Sequence, residues 1–180
     1  MSTRLFYPIF YTTLLIAFSS CNDVNFSKDF EFDLTIDVNS DSTALEERYL
    51  LDATEYVSSF EEKFENIETV EVQSATCFLV SLSGIGDQIL TNGLLTASNE
   101  NGSETQTMIV IPTVALENLL IVEQPVNVEE AGITFLEDLI MNDPHTCLGK
   151  FTGNINSSPA KFTINFHFVT TVTGNMLSDL

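Results

Sequence analysis

Cys77 and Cys147 have the side chains with the widest choice of chemistry in this sequence. In an oxidising compartment they can form a disulfide, and a bridge between residues about 70 apart would stabilise the fold by about 4 kcal/mol. Both also have apolar neighbours, Phe78 and Leu148, so two buried thiols are the equal alternative. The close Cys spacing of a zinc site is missing, and we predict no metal bound through these residues.

Asp37, Asn39 and Asp41 alternate in the way that the first oxygen ligands of a calcium loop do. An EF-hand would continue with Gly at position 42 and Glu at position 48, whereas this chain has Ser42 and Arg48. A polar turn between two elements explains the same residues. The segment is therefore kept as a calcium candidate, and no metal site is assigned.

The tripeptide Asp41-Ser42-Thr43 resembles the O-glycosylation sequon of secreted Bacteroidota proteins. The resemblance implies a glycan on the Ser42 hydroxyl. The competing interpretation gives the same residues to the cap of a following helix, which requires no sugar.

Residues that could support catalysis lack the partners that known mechanisms require. The segment Ser81-Leu82-Ser83-Gly84 has no preceding Gly and so is not a nucleophile elbow. His145 is expected in a connecting turn and His167 on the polar side of a strand. The sequence contains no Trp that could form a sugar platform beside its carboxylates. We predict no catalytic residues and no cofactor, and favour a non-enzymatic role.

The N-terminus has the layout of a secretory leader. Arg4 precedes fourteen uncharged residues, Leu5–Phe18, which are followed by Ser19, Ser20 and Cys21. The apolar run is shorter than the roughly 20 residues that a membrane-spanning helix needs. Residues 1–20 are therefore predicted to be a cleaved signal peptide.

A cysteine directly after Ser19-Ser20 resembles the lipobox of bacterial lipoproteins, although Phe18 stands where Leu is usual. The resemblance implies cleavage before Cys21 and attachment of lipid to its thiol, so that acyl chains tether the protein to a membrane. The acidic chain and the loose lipobox also resemble Bacteroidota lipoproteins. The expected location is the cell envelope, at the outer membrane, with the periplasmic or surface face left open.

The composition excludes several partners. There are 26 Asp+Glu against 6 Lys+Arg, which gives a formal net charge of -20. Binding to nucleic acid or to anionic lipid surfaces depends on clustered Lys and Arg, so neither is expected. With 44% hydrophobic residues the chain can form one core. We predict a lipidated cysteine and tether at 21–28 and a single domain at 29–180.

Alternating residues predict the strands. Asp29–Val38 alternates strictly between apolar and polar residues, as does the segment 160–173. Apolar runs flank Asn99–Ser103 between residues 89 and 111 and predict a hairpin. Residues 146–156 and 160–173 flank Ser157-Ser158-Pro159 and predict a second hairpin, and 69–82 predicts a further strand.

Two stretches have helical spacing. Leu50, Ala53, Val57 and Phe60 recur at steps of three and four and predict a helix over 44–67, with Thr43 and Glu46 as its capping box. A second helix is predicted over 128–142, capped by Asn127 and Glu130 and ending before Pro144.

These elements predict an α+β fold, a mostly antiparallel sheet or β-sandwich of about 6–8 strands covered by two helices. The function expected from leader and fold is that of a lipid-anchored envelope protein with a non-catalytic binding or structural domain. Its partner would be another envelope protein or an extracellular glycan. The alternative is a glycan-binding or hydrolytic accessory lipoprotein of an uptake system.

Overall fold

A computed structural model of the chain describes residues 25–61, 64–84, 86–99, 105–142 and 145–176. Within them the chain forms two antiparallel sheets, which confirms the predicted mostly antiparallel α+β fold, with ten described strands where about 6–8 were predicted. The first contains, in spatial order, β1 (Asn25–Ser40), β10 (Ala160–Met176), β3 (Phe64–Gly84) and β7 (Gln124–Pro125). The second contains β2 (Ala44–Asp52), β9 (Thr146–Ile155), β4 (Ile89–Ser98), β5 (Thr105–Ile111) and β8 (Asn127–Val128), with β6 (Val114–Ala115) paired to β4.

Strand β1 follows the period-two pattern of its sequence. Phe32, Ile36 and Val38 are buried, while Asp33 and Asp37 between them are exposed. The strand is longer than predicted, because it pairs with β10 from its first residue to its last. The segment 25–28, assigned to the tether from the sequence, thus belongs to β1.

Aromatic rings join the two sheets in the core. The Phe151 ring of β9 lies 6.5 Å from that of Phe162 and 6.4 Å from that of Phe166, both on β10 in the opposite sheet. Phe32 of β1 stacks on Phe168 at 4.6 Å. The inner faces of the sheets therefore pack on each other, which makes the fold a β-sandwich.

The helices of the described segments are α1 (Thr54–Glu61), α2 (Leu116–Ile121) and α3 (Glu130–Met141). They pack against strands of the sandwich, α1 and α2 mainly on β3 and α3 on both β5 and β3. Helices α1 and α3 lie near the end where β1 begins: the Phe60 ring is 4.4 Å from that of Phe30, and a Glu137 carboxylate oxygen accepts a hydrogen bond from the Val72 amide at 2.9 Å. At Gly132 a Cβ would approach the Thr107 carbonyl oxygen to 2.1 Å, so α3 can pack this closely on β5 only with glycine there.

The long helix predicted over 44–67 is wrong in most of its length. Residues 44–52 form β2, the helix is confined to Thr54–Glu61, and β3 begins at Phe64. Nine consecutive residues of β2 pair with β9, and this tertiary pairing overrides the local helical spacing. The second predicted helix is confirmed as α3.

Both predicted helix caps are also wrong. Thr43 and Glu46 cap nothing, because a strand starts at Ala44. The Asp52 carboxylate takes the capping role at α1, accepting hydrogen bonds from the Thr54 amide at 2.9 Å and the Thr54 hydroxyl at 2.6 Å. At α3 the N-cap residue is Glu129, with no side-chain bond, and Asn127 belongs to β8.

One of the two predicted hairpins is confirmed. Strands β4 and β5 pair antiparallel as expected, although most of the predicted turn lies outside the described residues. Strands β9 and β10 do not pair with each other, because the chain crosses from one sheet to the other between them. The buried Gln88 amide holds this crossing by donating to the carbonyls of Ser157 and Pro159, each at 2.9 Å.

Candidate binding groove on the second sheet

The outer face of the second sheet brings two basic residues together. Arg48 of β2 lies directly opposite Lys150 of β9, and Thr96 of β4 lies on the other side of Lys150. The next row across the same strands contains Leu50, Leu148, Ser98 and Thr105. Four strands thus place two cations, several hydroxyls and two leucines on one face.

These rows enclose a shallow groove of about 280 Å³. Its described lining consists of Arg48, Thr96, Ser98, Thr105, Leu148, Gly149 and Lys150. No Asp or Glu is among them, although the whole sequence has 26 acidic residues. The groove is therefore a cationic, hydroxyl-rich surface on an acidic protein.

Two hydroxyls in the groove have a fixed orientation. Thr96 donates its hydroxyl hydrogen to the Lys150 carbonyl at 3.2 Å, and Ser98 donates to the Leu148 carbonyl at 3.3 Å. Each hydroxyl oxygen still has lone pairs that can accept a hydrogen bond. The pair can accept hydrogen bonds from donors on a ligand.

The two cations differ in their surroundings. The Arg48 side chain is 83% exposed, and its guanidinium lies 3.4 Å from a Glu46 carboxylate oxygen, so this ion pair is weak. Lys150 is half-buried, and no carboxylate in the described part of the chain lies within ion-pair distance of it.

A half-buried tyrosine supports the floor of the groove. The Tyr49 ring occupies the space beneath Gly149, where a Cβ would come within 1.9 Å of it. The Tyr49 hydroxyl donates to the Thr96 carbonyl at 3.2 Å, so one side chain connects β2 with β4 beneath β9. Burial is the main cause that raises the pKa of Tyr49 above its usual value, and the electrostatic effect of Cys147 adds to it. The phenol therefore stays neutral.

A second, more apolar cleft of about 220 Å³ lies where β1 and β2 form the open edges of their sheets. Its lining includes Phe32, Leu34, Leu51 and Leu136, with Asp33 and Asp52 as its acidic members. Two hydrogen bonds from Thr54 to the Asp52 carboxylate lower the pKa of Asp52. The bond from the Thr54 hydroxyl has the larger effect and the bond from its backbone amide the smaller one.

The outer face of the first sheet has the polar network around His167. An Asp33 carboxylate oxygen lies 3.0 Å from His167 Nδ1 and accepts a hydrogen bond from the Asn165 amide at 2.9 Å. An aspartate that orients a histidine is one part of a catalytic triad. The hydroxyl residue directly opposite His167 is Thr76, which is hydrogen-bonded to Glu123. Among the described residues, the hydroxyl opposite the histidine is thus bonded to a carboxylate and not to the imidazole.

The calcium candidates Asp37 and Asn39 lie near the end of β1, and Asp41 lies in the turn that follows it. The Asp37 carboxylate accepts a hydrogen bond from the Thr163 hydroxyl at 2.7 Å, and the backbone amide of Asn39 donates to a Glu47 carboxylate oxygen at 3.3 Å. Asp41 is exposed in the turn that follows β1. Across the described ranges, no group of three or more His, Cys, Asp or Glu side chains is placed to hold a metal ion.

The remaining predicted site residues have defined environments. Ser42 is exposed in the β1–β2 turn, and its hydroxyl oxygen accepts a hydrogen bond from the Ala44 amide at 3.1 Å. Cys77 on β3 and Cys147 on β9 are buried free thiols on opposite sheets. His145 is half-buried, with Nδ1 3.1 Å from the Leu139 carbonyl oxygen. Cys21 and the leader lie outside the described residues.

Comparisons with protein-family models and with curated proteins give no match. Among the helices of the described segments, none has the length and apolar character needed to cross a bilayer.

The groove was not predicted from the sequence, because Arg48 was assigned to a helix. Correct assignment of β2 would have put Glu46, Arg48 and Leu50 on one face by alternation. Lys150 would still not have been predicted as part of the groove, because the strand register that puts it opposite Arg48 is a tertiary feature.

Proposed function

We propose that this protein is a lipid-anchored protein of the cell envelope whose β-sandwich is a non-catalytic binding domain. The observation that carries the proposal is the sequence from Arg4 to Cys21, in which a basic residue, an apolar run and small residues precede a cysteine. The expected location is the outer membrane.

The described fold is compatible with such an anchor. Strand β1 begins at Asn25, four residues after Cys21 in the sequence, and runs for 16 residues. A strand of that length spans about 50 Å at roughly 3.3 Å per residue. An anchor at Cys21 would put Asn25 at the membrane end and Ser42 at the far end, where a glycosyltransferase could reach it.

A binding role is favoured over a catalytic one by the lining of the groove. Glycoside hydrolysis requires two carboxyl groups on either side of the scissile bond. The described lining offers two cations and hydroxyls in their place. Such groups bind and orient a ligand without supplying an acid and a nucleophile for its cleavage.

The anchor is tested by expressing the full chain in a bacterium that processes lipoproteins and determining the mass of its N-terminal peptide. We expect the mature chain to begin at Cys21 with a diacylglycerol thioether and an acylated amine. Cys21→Ala should leave the leader uncleaved and the chain without lipid, because the acceptor thiol is missing. Ser19→Ala is the matched control and should be processed normally.

A mature chain that begins at another residue and has no lipid would contradict the anchor. Acyl groups that hydroxylamine removes at neutral pH would also contradict it, because the thioether and the oxygen esters of a diacylglycerol resist the reagent at that pH whereas a thioester on Cys77 or Cys147 does not.

A further inference from the structure

We propose that the groove between Arg48, Lys150 and Thr105 binds the carboxylate of an acidic sugar, of the uronic acid class. The inference rests on the proposed role as a binding domain and gives that domain a ligand class. The shared chemistry is a carboxylate held by two cations, which an acidic oligosaccharide or a free organic acid could supply.

The first argument is the placement of the cations. Like charges directly opposite each other on neighbouring strands are unfavourable for the sheet. The sequence has 6 Lys+Arg in 180 residues, yet two of them form such a pair at Arg48 and Lys150. A bound anion would neutralise this repulsion, so the pair is more stable with a ligand than without one.

The second argument is the missing counter-charge. Lys150 is half-buried in a protein of formal net charge -20, and no carboxylate in the described segments lies within ion-pair distance of it. Among the described residues, the ion-pair partner of Arg48 is the exposed Glu46 at 3.4 Å, a pair that a ligand carboxylate can replace at little cost. Arg also offers paired N–H groups that match the two oxygens of a carboxylate.

The third argument favours a sugar over a free organic acid. Because Thr96 and Ser98 donate their hydrogens to backbone carbonyls, their oxygens can act as acceptors toward the groove. The alcohol groups of a sugar are hydrogen-bond donors, whereas an ionised polycarboxylate has few. Leu148, 48% exposed at the groove, offers an apolar surface to the C–H face of a ring.

The test is calorimetric titration of the purified full chain, in detergent, with trigalacturonate, with neutral maltotriose and with citrate. We expect trigalacturonate to bind and maltotriose not to bind. Replacing Arg48 and Lys150 together by Gln should weaken binding at least about tenfold, since each charge-assisted hydrogen bond is among the stronger contacts of a site.

The matched control replaces Lys28 and Lys161 by Gln. It removes two positive charges from the first sheet, and so changes the net charge equally while leaving the groove intact. Binding should be unchanged in this control. Lys150→Arg retains the charge and should bind within about threefold of the wild type, and equal melting temperatures would show that all variants are folded.

Several results would overturn the proposal: no binding of trigalacturonate at millimolar concentration, equal binding of maltotriose, or equal loss in the control variant. If citrate binds as tightly as trigalacturonate, and if its binding is lost when Arg48 and Lys150 are replaced by Gln, the anion site stands and only its assignment to a sugar is overturned. The titration measures ligand binding at the groove whether or not Cys21 is lipidated. A failure of the proposed lipid anchor can therefore be distinguished from a failure of the proposed ligand site.

Discussion

Cys77 and Cys147 show how burial sets the chemistry of single residues in this sandwich. Burial raises the pKa of the Cys77 thiol to about 12, with a further contribution from the Glu123 carboxylate, and burial raises that of Cys147 to about 11. Since the thiolate is the reactive form, both thiols stay protonated and unreactive at pH 8 in the folded protein.

Thiol counting tests this expectation and decides whether the two cysteines are bridged. We use Cys21→Ala, so that the count does not depend on lipidation. With Ellman's reagent at pH 8 and no reductant, the folded protein should react slowly, and the protein in urea should release two equivalents. Adding Cys147→Ala should reduce the count in urea to one. A count of zero in urea for Cys21→Ala would instead show that Cys77 and Cys147 form a disulfide.

At the scale of elements, β2 and β9 are joined by a large residue that covers a glycine. Tyr49 lies opposite Gly149 in the register, and its ring fills the space that a Gly149 side chain would need. The Tyr49 hydroxyl extends this contact to the Thr96 carbonyl of β4. The Tyr49 side chain of β2 thus contacts β9 through its ring and β4 through its hydroxyl. These contacts limit the movement of the three strands relative to one another under the groove.

Gly149→Ala should therefore destabilise the protein. The added methyl group would overlap the Tyr49 ring, and overpacking of a core typically costs about 1–3 kcal/mol. Urea denaturation followed by circular dichroism should show this loss in the free energy of unfolding. Gly86→Ala is the control, since a Cβ there meets only Glu117 at 3.5 Å, and it should unfold like the wild type. If the two variants were equally stable, the close packing of the Tyr49 ring against Gly149 would be contradicted.

The elements that the sequence predicted correctly are those whose local pattern agrees with their tertiary environment. Strand β1 and helix α3 each have one apolar face that the fold buries. Strand β2 was missed because Leu50, apolar by type, is 62% exposed, while Tyr49 beside it faces inward. The turn sequence between β9 and β10 predicts a hairpin where the structure has a crossing, because a turn sequence does not specify which sheet the next strand joins.

At the scale of the whole molecule, a formal net charge of -20 opposes the compact state through self-repulsion. The outer face of β1 shows how the fold tolerates it: the carboxylates of Asp29, Asp33 and Asp37 each accept hydrogen bonds from side chains of β10. Glu31, on the same face, has no hydrogen bond or ion pair to any described residue. Its charge therefore adds repulsion without a compensating contact.

Glu31→Lys should stabilise the protein most at low ionic strength. Removing one like charge between Asp29 and Asp33 and adding an opposite one should contribute about 0.2–1 kcal/mol, or about 0.4–4 °C in melting temperature. The gain should shrink between about 20 mM and about 300 mM NaCl, because the Debye length falls from about 20 Å to about 6 Å. The wild type should itself melt at a higher temperature in the higher salt.

Lys161→Glu changes the charge in the opposite direction on the neighbouring strand and should lower the low-salt melting temperature. Melting temperatures that do not respond to salt in any of the three proteins would show that self-repulsion does not limit the stability of this sandwich.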